Sequence, residues 1–208
     1  MSAMEKELEI KFYLGKLAAL EQRLRALGAV LVQPRVFELN FRFDTTDQAL
    51  TLSARVLRLR QDVQAMMTYK GPSQAQEGVS ARQEIEFAVS DLTAARHLLE
   101  ALGYQVVVTY EKYRTTYLLD GQKVTLDELP YGNFVEVEGP EPAGIHAVAD
   151  KCGLAWDARI GVSYLGLFIH YKATQEKKMH DLTFQAFDGV HVTAGELGVS
   201  PADGAVES

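Results

Sequence analysis

The chain of 208 residues and 23.1 kDa is long enough for one substantial domain, and at this size folding removes about 70% of the unfolded surface, so a core forms without staples. Hydrophobic content of 47% and charged content of 24% exclude global disorder, collagen and coiled coil. A balance of 21 Lys+Arg against 28 Asp+Glu gives −7, which excludes a diffuse basic footprint for nucleic acid or membrane, so any anion the protein handles must meet a local basic cluster or metal ions.

In chain order, KELEIKF alternates as a strand and runs into a helix whose buried stripe is Leu17, Leu20, Leu24 and Leu27, closed by Gly28. Strand-like runs follow at residues 35–43, 54–61 and 64–70. Residues 71–80 (GPSQAQEGVS) are polar and turn-rich, which predicts a mobile loop. A strand over 81–89 then leads to a second helix, with Ser90 or Asp91 as N-cap, a stripe of Leu92, Ala95, Leu99 and Leu102, and Gly103 at its end. Further strands are predicted at 105–109, 113–119, 123–126 and 134–138, with turns at Asp120-Gly121 and Tyr131-Gly132-Asn133, and a helix over 145–153. After Lys172 the character changes: 173–187 predicts one more helix or strand, and 189–208, rich in Gly, Ala, Ser and acid, predicts disorder.

The two strand–helix units lie over one another at an offset of 75. Glu9, Ile10, Phe12, Leu17, Leu24 and Gly28 fall opposite Glu84, Ile85, Phe87, Leu92, Leu99 and Gly103. Two such copies suggest one domain with internal pseudo-symmetry. Short connections favour antiparallel pairing, so the fold class is α+β, a large antiparallel sheet or barrel with helices packed outside.

The informative feature is where the strand charges sit. Glu7, Glu9 and Lys11 share one face of the first strand, opposite Leu8, Ile10 and Phe12. Arg58 and Arg60, then Arg82, Glu84 and Glu86, then Lys112 and Arg114, then Glu136 and Glu138 repeat the split. A sheet with one face in water alternates this way by default. Here, however, the polar faces use Glu, Arg and Lys, often as same-sign pairs that repel unless opposite charge lies between them. The apolar faces already account for the helices. If eight such strands close, the charged faces line one tunnel, with acids Glu7, Glu9, Glu84, Glu86, Asp127, Glu136 and Glu138 and bases Lys11, Arg58, Arg60, Lys70, Arg82, Lys112, Arg114 and Lys172. Charge buried on this scale must be paired or neutralised by ligand. Guanidinium forks match phosphate oxygens, and paired carboxylates suit a hard divalent cation that keeps waters and bridges to phosphate. A linear triphosphate with Mg²⁺ or Mn²⁺ satisfies both.

Glu7-Leu8-Glu9-Ile10-Lys11 resembles the ExExK signature of the CYTH superfamily, the triphosphate tunnel metalloenzymes. Its ordered company strengthens the match: LRLR at 57–60, YKGP at 69–72, RQEIEF at 82–87, EKYR at 111–114, TLDELPYGNFVEVEG at 125–139 and SYLGLF at 163–168. Among the members, the chain looks most like the class IV adenylyl cyclase-like branch. The resemblance implies an eight-stranded antiparallel tunnel over residues 1–172, with 173–208 as a partly disordered C-terminal extension. It implies Glu7, Glu9, Glu136 and Glu138 as metal ligands, with Asp127 and Glu84 as further ligands or water-positioning groups. Lys11, Arg58, Arg60, Lys70, Lys112 and Arg114 resemble the phosphate-gripping bases, with Arg82 and Lys172 beside them. Lys11, Arg58, Glu84 and Asp127 would carry catalysis. Where members of the family have Gln-x-Asp before an aromatic pair, this chain has Glu38-Leu39-Asn40-Phe41, which leaves the substrate's non-phosphate end open. The activity implied is metal-dependent cleavage of a triphosphate, with hydrolysis favoured because it needs only the tunnel. The alternatives are cyclisation of ATP to cyclic AMP and pyrophosphate, and a non-catalytic triphosphate or polyphosphate binder.

Cys152 is a lone cysteine, read as a buried inert thiol in a reducing compartment. Five scattered histidines, Trp156 and the tyrosines at 104, 110, 113, 117 and 131 read as surface or packing. No P-loop, nucleophile elbow or HExxH occurs. Without an apolar N-terminal region or an 18-residue apolar run, the expectation is a soluble cytoplasmic protein, monomer or homodimer, whose partner is a triphosphate-containing small molecule and neither nucleic acid nor membrane.

Overall fold

The structure, a computed structural model, describes residues 6–204, with side chains from Leu8 onward. The strands are β1 (Lys6–Leu14), β2 (Val30–Asp44), β3 (Val56–Gln61), β4 (Ala65–Lys70), β5 (Gln74–Gln76), β6 (Val79–Ala88), β7 (Gln105–Leu119), β8 (Gln122–Leu129), β9 (Gly132–Gly139) and β10 (Arg159–Ile160). The helices are α1 (Leu17–Ala26), α2 (Ala49–Leu52), α3 (Leu92–Ala101), α4 (Pro142–Lys151) and α5 (Tyr164–Thr174). Eight strands close into an antiparallel ring in the order β1-β9-β8-β7-β2-β3-β4-β6, and β6 returns to β1 through Lys6↔Gln83 to Glu9↔Ser80. The short strands β5 and β10 add to β6 and β1 outside the ring.

The period-2 pattern sends the apolar set outward under the helices and the charged set inward. The largest core unites Leu8, Ile10 and Phe12 of β1 with Val124 and Leu126 of β8, Val135 and Val137 of β9, Leu20 and Leu24 of α1, and Ile145, Val148 and Ala149 of α4. A second core sets Leu167, Phe168 and Tyr171 of α5 against Phe134, Tyr131, Leu182 and Phe187. The third is small: Leu99 of α3 packs on Phe43, Leu59 and Met67, while Leu98 and Leu102 stay mostly exposed. The predicted stripe of α3 is thus only partly used, because the sheet below it curls away to close the ring. Asp91 is the N-cap of α3, its side chain accepting from Ala94 N. Cys152 is buried, and burial pushes its thiol up to about 11.

The structure differs from the sequence reading in several places, and beyond Thr174 the run to 187 forms no further helix or strand but only an isolated bridge at Leu182. The runs predicted at 105–109 and 113–119 are one continuous strand, β7, paired along its length with the equally long β2. Residues 71–80 are not a featureless loop: β5 pairs with the start of β6 across Glu77-Gly78, both at positive φ. Residues 189–204, predicted to be disordered, pack on the ring and bury Ala194, Leu197 and Ala202.

That C-terminal stretch fills edges the ring leaves open. β9 covers one edge of β1 from Leu8 to Leu14; on the other, β6 covers Lys6–Glu9, β10 covers Lys11 and Phe12, and Pro201 bridges Tyr13. On β7, β8 pairs only from Tyr113, and Leu182 takes the free stretch, donating to Thr109 O and accepting from Glu111 N at 2.9 Å each. Asp203 then accepts from Gly15 N at 3.2 Å and Lys16 N at 2.8 Å, supplying a carboxylate at the start of α1 where Lys16 makes no side-chain cap of its own.

Candidate functional site

The ring encloses a cavity of about 600 Å³. Its wall carries nine bases, Lys11, Arg42, Arg58, Arg60, Lys70, Arg82, Lys112, Arg114 and Lys123, and five carboxylates, Glu9, Glu84, Glu86, Glu136 and Glu138. Strand alternation alone puts them there, since each is an inward residue on a strand whose outward neighbours are apolar or packed. Tyr110 and the first residues of α5, Ser163 to Leu165, complete the wall.

The charges form two linked clusters. In the first, Lys11 Nζ lies 2.7 Å from Glu136 Oε1 and over the Tyr164 ring. Arg114 reaches both Asp127 and Glu136, Lys112 lies 3.2 Å from Asp127 Oδ2, and the Tyr164 hydroxyl donates to the same oxygen at 2.8 Å. In the second, Arg58 donates to Tyr110 Oη at 3.4 Å, Thr68 Oγ1 at 3.2 Å and Glu86 Oε2 at 3.5 Å, and Arg60 pairs with Glu86 at 3.2 Å. Lys70 pairs with Glu84 at 3.0 Å. Glu38, fully buried on β2, joins the clusters, 3.4 Å from Lys112 and 3.6 Å from Arg60, with Asn40 donating to it at 3.0 Å.

These pairings fix the protonation states. Burial opposes the charge on Glu38, but Lys112, Arg114, Arg58 and Arg60 hold its carboxyl far below the ordinary range. Glu136 is likewise held well below it, burial being outweighed by Lys11 and Arg114. Burial also opposes the charge on Lys11 and Arg114, yet Glu136 raises the first, and Asp127 and Glu136 the second. A carboxylate depressed in the folded state contributes stability that is complete above its unfolded value of about 4.3 and is lost as pH falls below it. The melting temperature is therefore expected to hold above about pH 5 and to fall steeply below about pH 4.3, in contrast to a Glu38→Gln variant, whose profile should be flatter there. Melting curves between pH 3 and 7 check this; superimposable profiles would show that Glu38 is not ionised in the fold.

The carboxylates of β1 and β9 bear on metal binding. Glu9 stands directly opposite Glu138, a like-charge pair that costs energy unless a cation lies near it. Glu138 pairs with Lys123, whereas Glu9 has no ion pair among the described residues. Among the described residues no three carboxylate, imidazole or thiolate groups converge as a metal cage. Mg²⁺ does not require one, since it binds through one or two carboxylates and takes its remaining ligands from water and phosphate. Glu9 and Glu138 fit that donor set.

Most of the residues anticipated from sequence line the one cavity: Glu9, Lys11, Arg58, Arg60, Lys70, Arg82, Glu84, Lys112, Arg114, Glu136 and Glu138. The side chain of Glu7 lies outside those described; its backbone pairs with Arg82. Asp127 sits behind the wall, fully buried and bound by Arg114, Lys112 and Tyr164. Lys172 is a correction. It lies two turns along α5 with Nζ over the Phe168 ring and is not among the residues that line the cavity. The sequence reading missed Glu38, Arg42, Tyr110, Lys123 and Tyr164. For Glu38, Asn40 and Arg42 the signal was present, as the same alternation against Leu39, Phe41 and Phe43.

Comparison with known proteins agrees with this geometry. A structure from Vibrio parahaemolyticus described as a "putative adenylate cyclase" superposes with a TM-score of 0.72 at 21% identity, covering 80% of this chain and 99% of that one. PH1012 protein from Pyrococcus horikoshii superposes at 0.66 and 24% identity, covering 77% and 98%. A protein from Hippeastrum, described as "putative adenylyl cyclase HpAC1" with a dominant triphosphatase activity, superposes at 0.61 and 20% identity, covering 78% and 95%. At these identities the likeness is one of fold. No curated protein matches the sequence. The CYTH domain pattern, in contrast, matches from residue 5 to residue 152, across the strands that form the ring and build its charged wall. The chain therefore belongs to the CYTH domain family.

Proposed function

We propose that the protein is a divalent-metal-dependent enzyme that hydrolyses a triphosphate inside the ring. The observation that carries this reading is the wall itself, nine bases against five carboxylates around one cavity, an excess that persists when Glu38 and Asp127 behind the wall are counted. Such a surplus of buried positive charge calls for a small polyanion. Electrostatic positioning of that kind is the main demand of phosphoryl transfer.

In this mechanism Lys11, Arg114 and Lys112 grip one part of the phosphate chain and Arg58, Arg60, Lys70 and Arg82 another, the paired bases exchanging a carboxylate for phosphate oxygens. Glu38 and Asp127 hold Lys112 and Arg114 in place from behind. Glu84, on the wall beside Lys70, orients the attacking water. Water adds to the terminal phosphorus as the bridging P–O bond breaks, so tripolyphosphate gives orthophosphate and pyrophosphate. Glu9 and Glu138 would hold Mg²⁺ or Mn²⁺ with phosphate and water, with Glu136 and Glu7 beside them; a bound ion neutralises developing charge and acidifies water.

Product analysis tests this with tripolyphosphate, ATP and thiamine triphosphate, each with Mg²⁺, with Mn²⁺ and with chelator. Orthophosphate release that needs metal is the expected result. No turnover of any of the three would overturn the reading, and cyclic AMP from ATP would replace hydrolysis with cyclisation.

A further inference from the structure

Seven of the nine wall bases are already matched to carboxylates, so an incoming anion must displace a partner to reach them. The other two, Arg82 and Arg42, have no carboxylate partner among the described residues, the backbone of Arg82 pairing with that of Glu7. Of the two, Arg42 is the one on β2, directly beside another wall arginine. Among the described residues it has no carboxylate partner, its Nη2 donates to the backbone oxygen of Arg55 at 2.7 Å, and its Nε is buried with no partner. Directly opposite on β3 is Arg58, a like charge. The nearby carboxylate of Asp44 is occupied, accepting from Thr45 N, Leu50 N, Thr51 N and Thr51 Oγ1. Burial pulls Arg42 below its ordinary value; Tyr110 and Asp44 partly offset this, and Arg82 and Arg58 add to it.

The ring order gives Arg42 a second property. β2 is four strands from β1 in either direction, so Arg42 stands on the wall facing Lys11 and Glu9. An anion anchored at Lys11 on β1 reaches Arg42 on β2 by crossing the cavity.

We propose that Arg42, together with Arg58, holds the far phosphoryl group of the substrate and is the residue that makes this site prefer a triphosphate to a diphosphate. The inference rests on the triphosphate reading above and adds to it the residue that sets chain length. It is a specificity-determining contact, since the guanidinium touches phosphate oxygens and takes no part in bond breaking.

The test measures binding of tripolyphosphate and pyrophosphate in chelator, by calorimetry and thermal shift, for the wild type, Arg42→Gln and Arg42→Lys. Gln keeps a donor for the Arg55 carbonyl and removes the charge. The expected result is a wild type that binds tripolyphosphate more tightly than pyrophosphate. In Arg42→Gln that preference should fall by about 10- to 100-fold through tripolyphosphate alone, with partial recovery in Arg42→Lys. Equal loss for both anions, or no loss, would overturn the inference while leaving the triphosphate reading intact. A wild type that binds both anions equally would do the same. A wild type that binds neither would overturn both. If Arg42→Gln does not fold, Arg42→Lys carries the comparison, and unchanged preference in it, with its single donor head, counts against the proposal.

Discussion

Arg58→Ala is expected to lower the rate of triphosphate cleavage by about 10²- to 10³-fold, the usual cost of removing one preorganised charge from a transition state of this type. Its effect on folding should be small. The contacts Arg58 makes with Tyr110, Thr68 and Glu86 are all 3.2 Å or longer, and Glu86 keeps Arg60 and a 2.6 Å bond from Thr68. Removing one of two guanidinium groups that face each other across β2 and β3 also relieves repulsion in the empty ring. The two measurements are kcat with tripolyphosphate and the denaturant midpoint of the free protein. Unchanged kcat with lowered stability would mean that the arginine serves the fold, and the triphosphate reading would lose one of its principal groups.

Asp127→Ala should behave in the opposite way and be the most damaging single change to stability, by about 3–5 kcal/mol. Its carboxylate is fully buried and receives Arg114 in a two-pronged pair, Lys112 and the Tyr164 hydroxyl. Removing it leaves two cations sharing only Glu38 and Glu136, and a buried phenol without its acceptor. Chemical denaturation of the variant measures the loss, and a cost below about 1 kcal/mol would show that Glu38 and Glu136 suffice for both bases. Asp127→Asn should cost less, because its one oxygen still accepts from Tyr164, although the charge is lost and an NH2 donor replaces the oxygen that accepts from Arg114 Nε.

The two expectations separate because ring closure sorts the charges into those facing the cavity and those behind it. The first sorting was legible in the sequence. On a strand with one apolar face, a charged residue has only one other side to occupy, and Lys11, Arg58, Arg114 and Glu136 follow from alternation alone. Depth was not legible. Asp127 and Glu136 sit on inward faces of neighbouring strands, yet one is sealed behind Tyr164 and the other reaches the cavity. That difference arises from α5, whose first turn seats Tyr164 against the wall. Lys172 was misplaced for the same reason, as its helix was not recognised. The final segment was illegible because its anchors, Leu182, Phe187, Leu197 and Ala202, are spaced by five or ten residues, which is the period of neither a helix nor a strand. The composition that suggests disorder describes what lies between the anchors.

The contacts of Asp203 carry a consequence for the order of assembly. The helix α1 is ten residues long and without a side-chain cap of its own, too short to be stable alone. The carboxylate at its amino end arrives 188 residues later, and the strand beside it, β1, finds its ring partner β9 only after more than a hundred intervening residues. Closure of the ring is thus a late, long-range event, of the kind that slows folding and leaves strand edges exposed while the chain waits. A protein built this way takes the partner of its first helix's amino end from residue 203, well after Gly139 has completed the ring, so a chain cut before that residue would keep the ring and lose the contacts of Asp203.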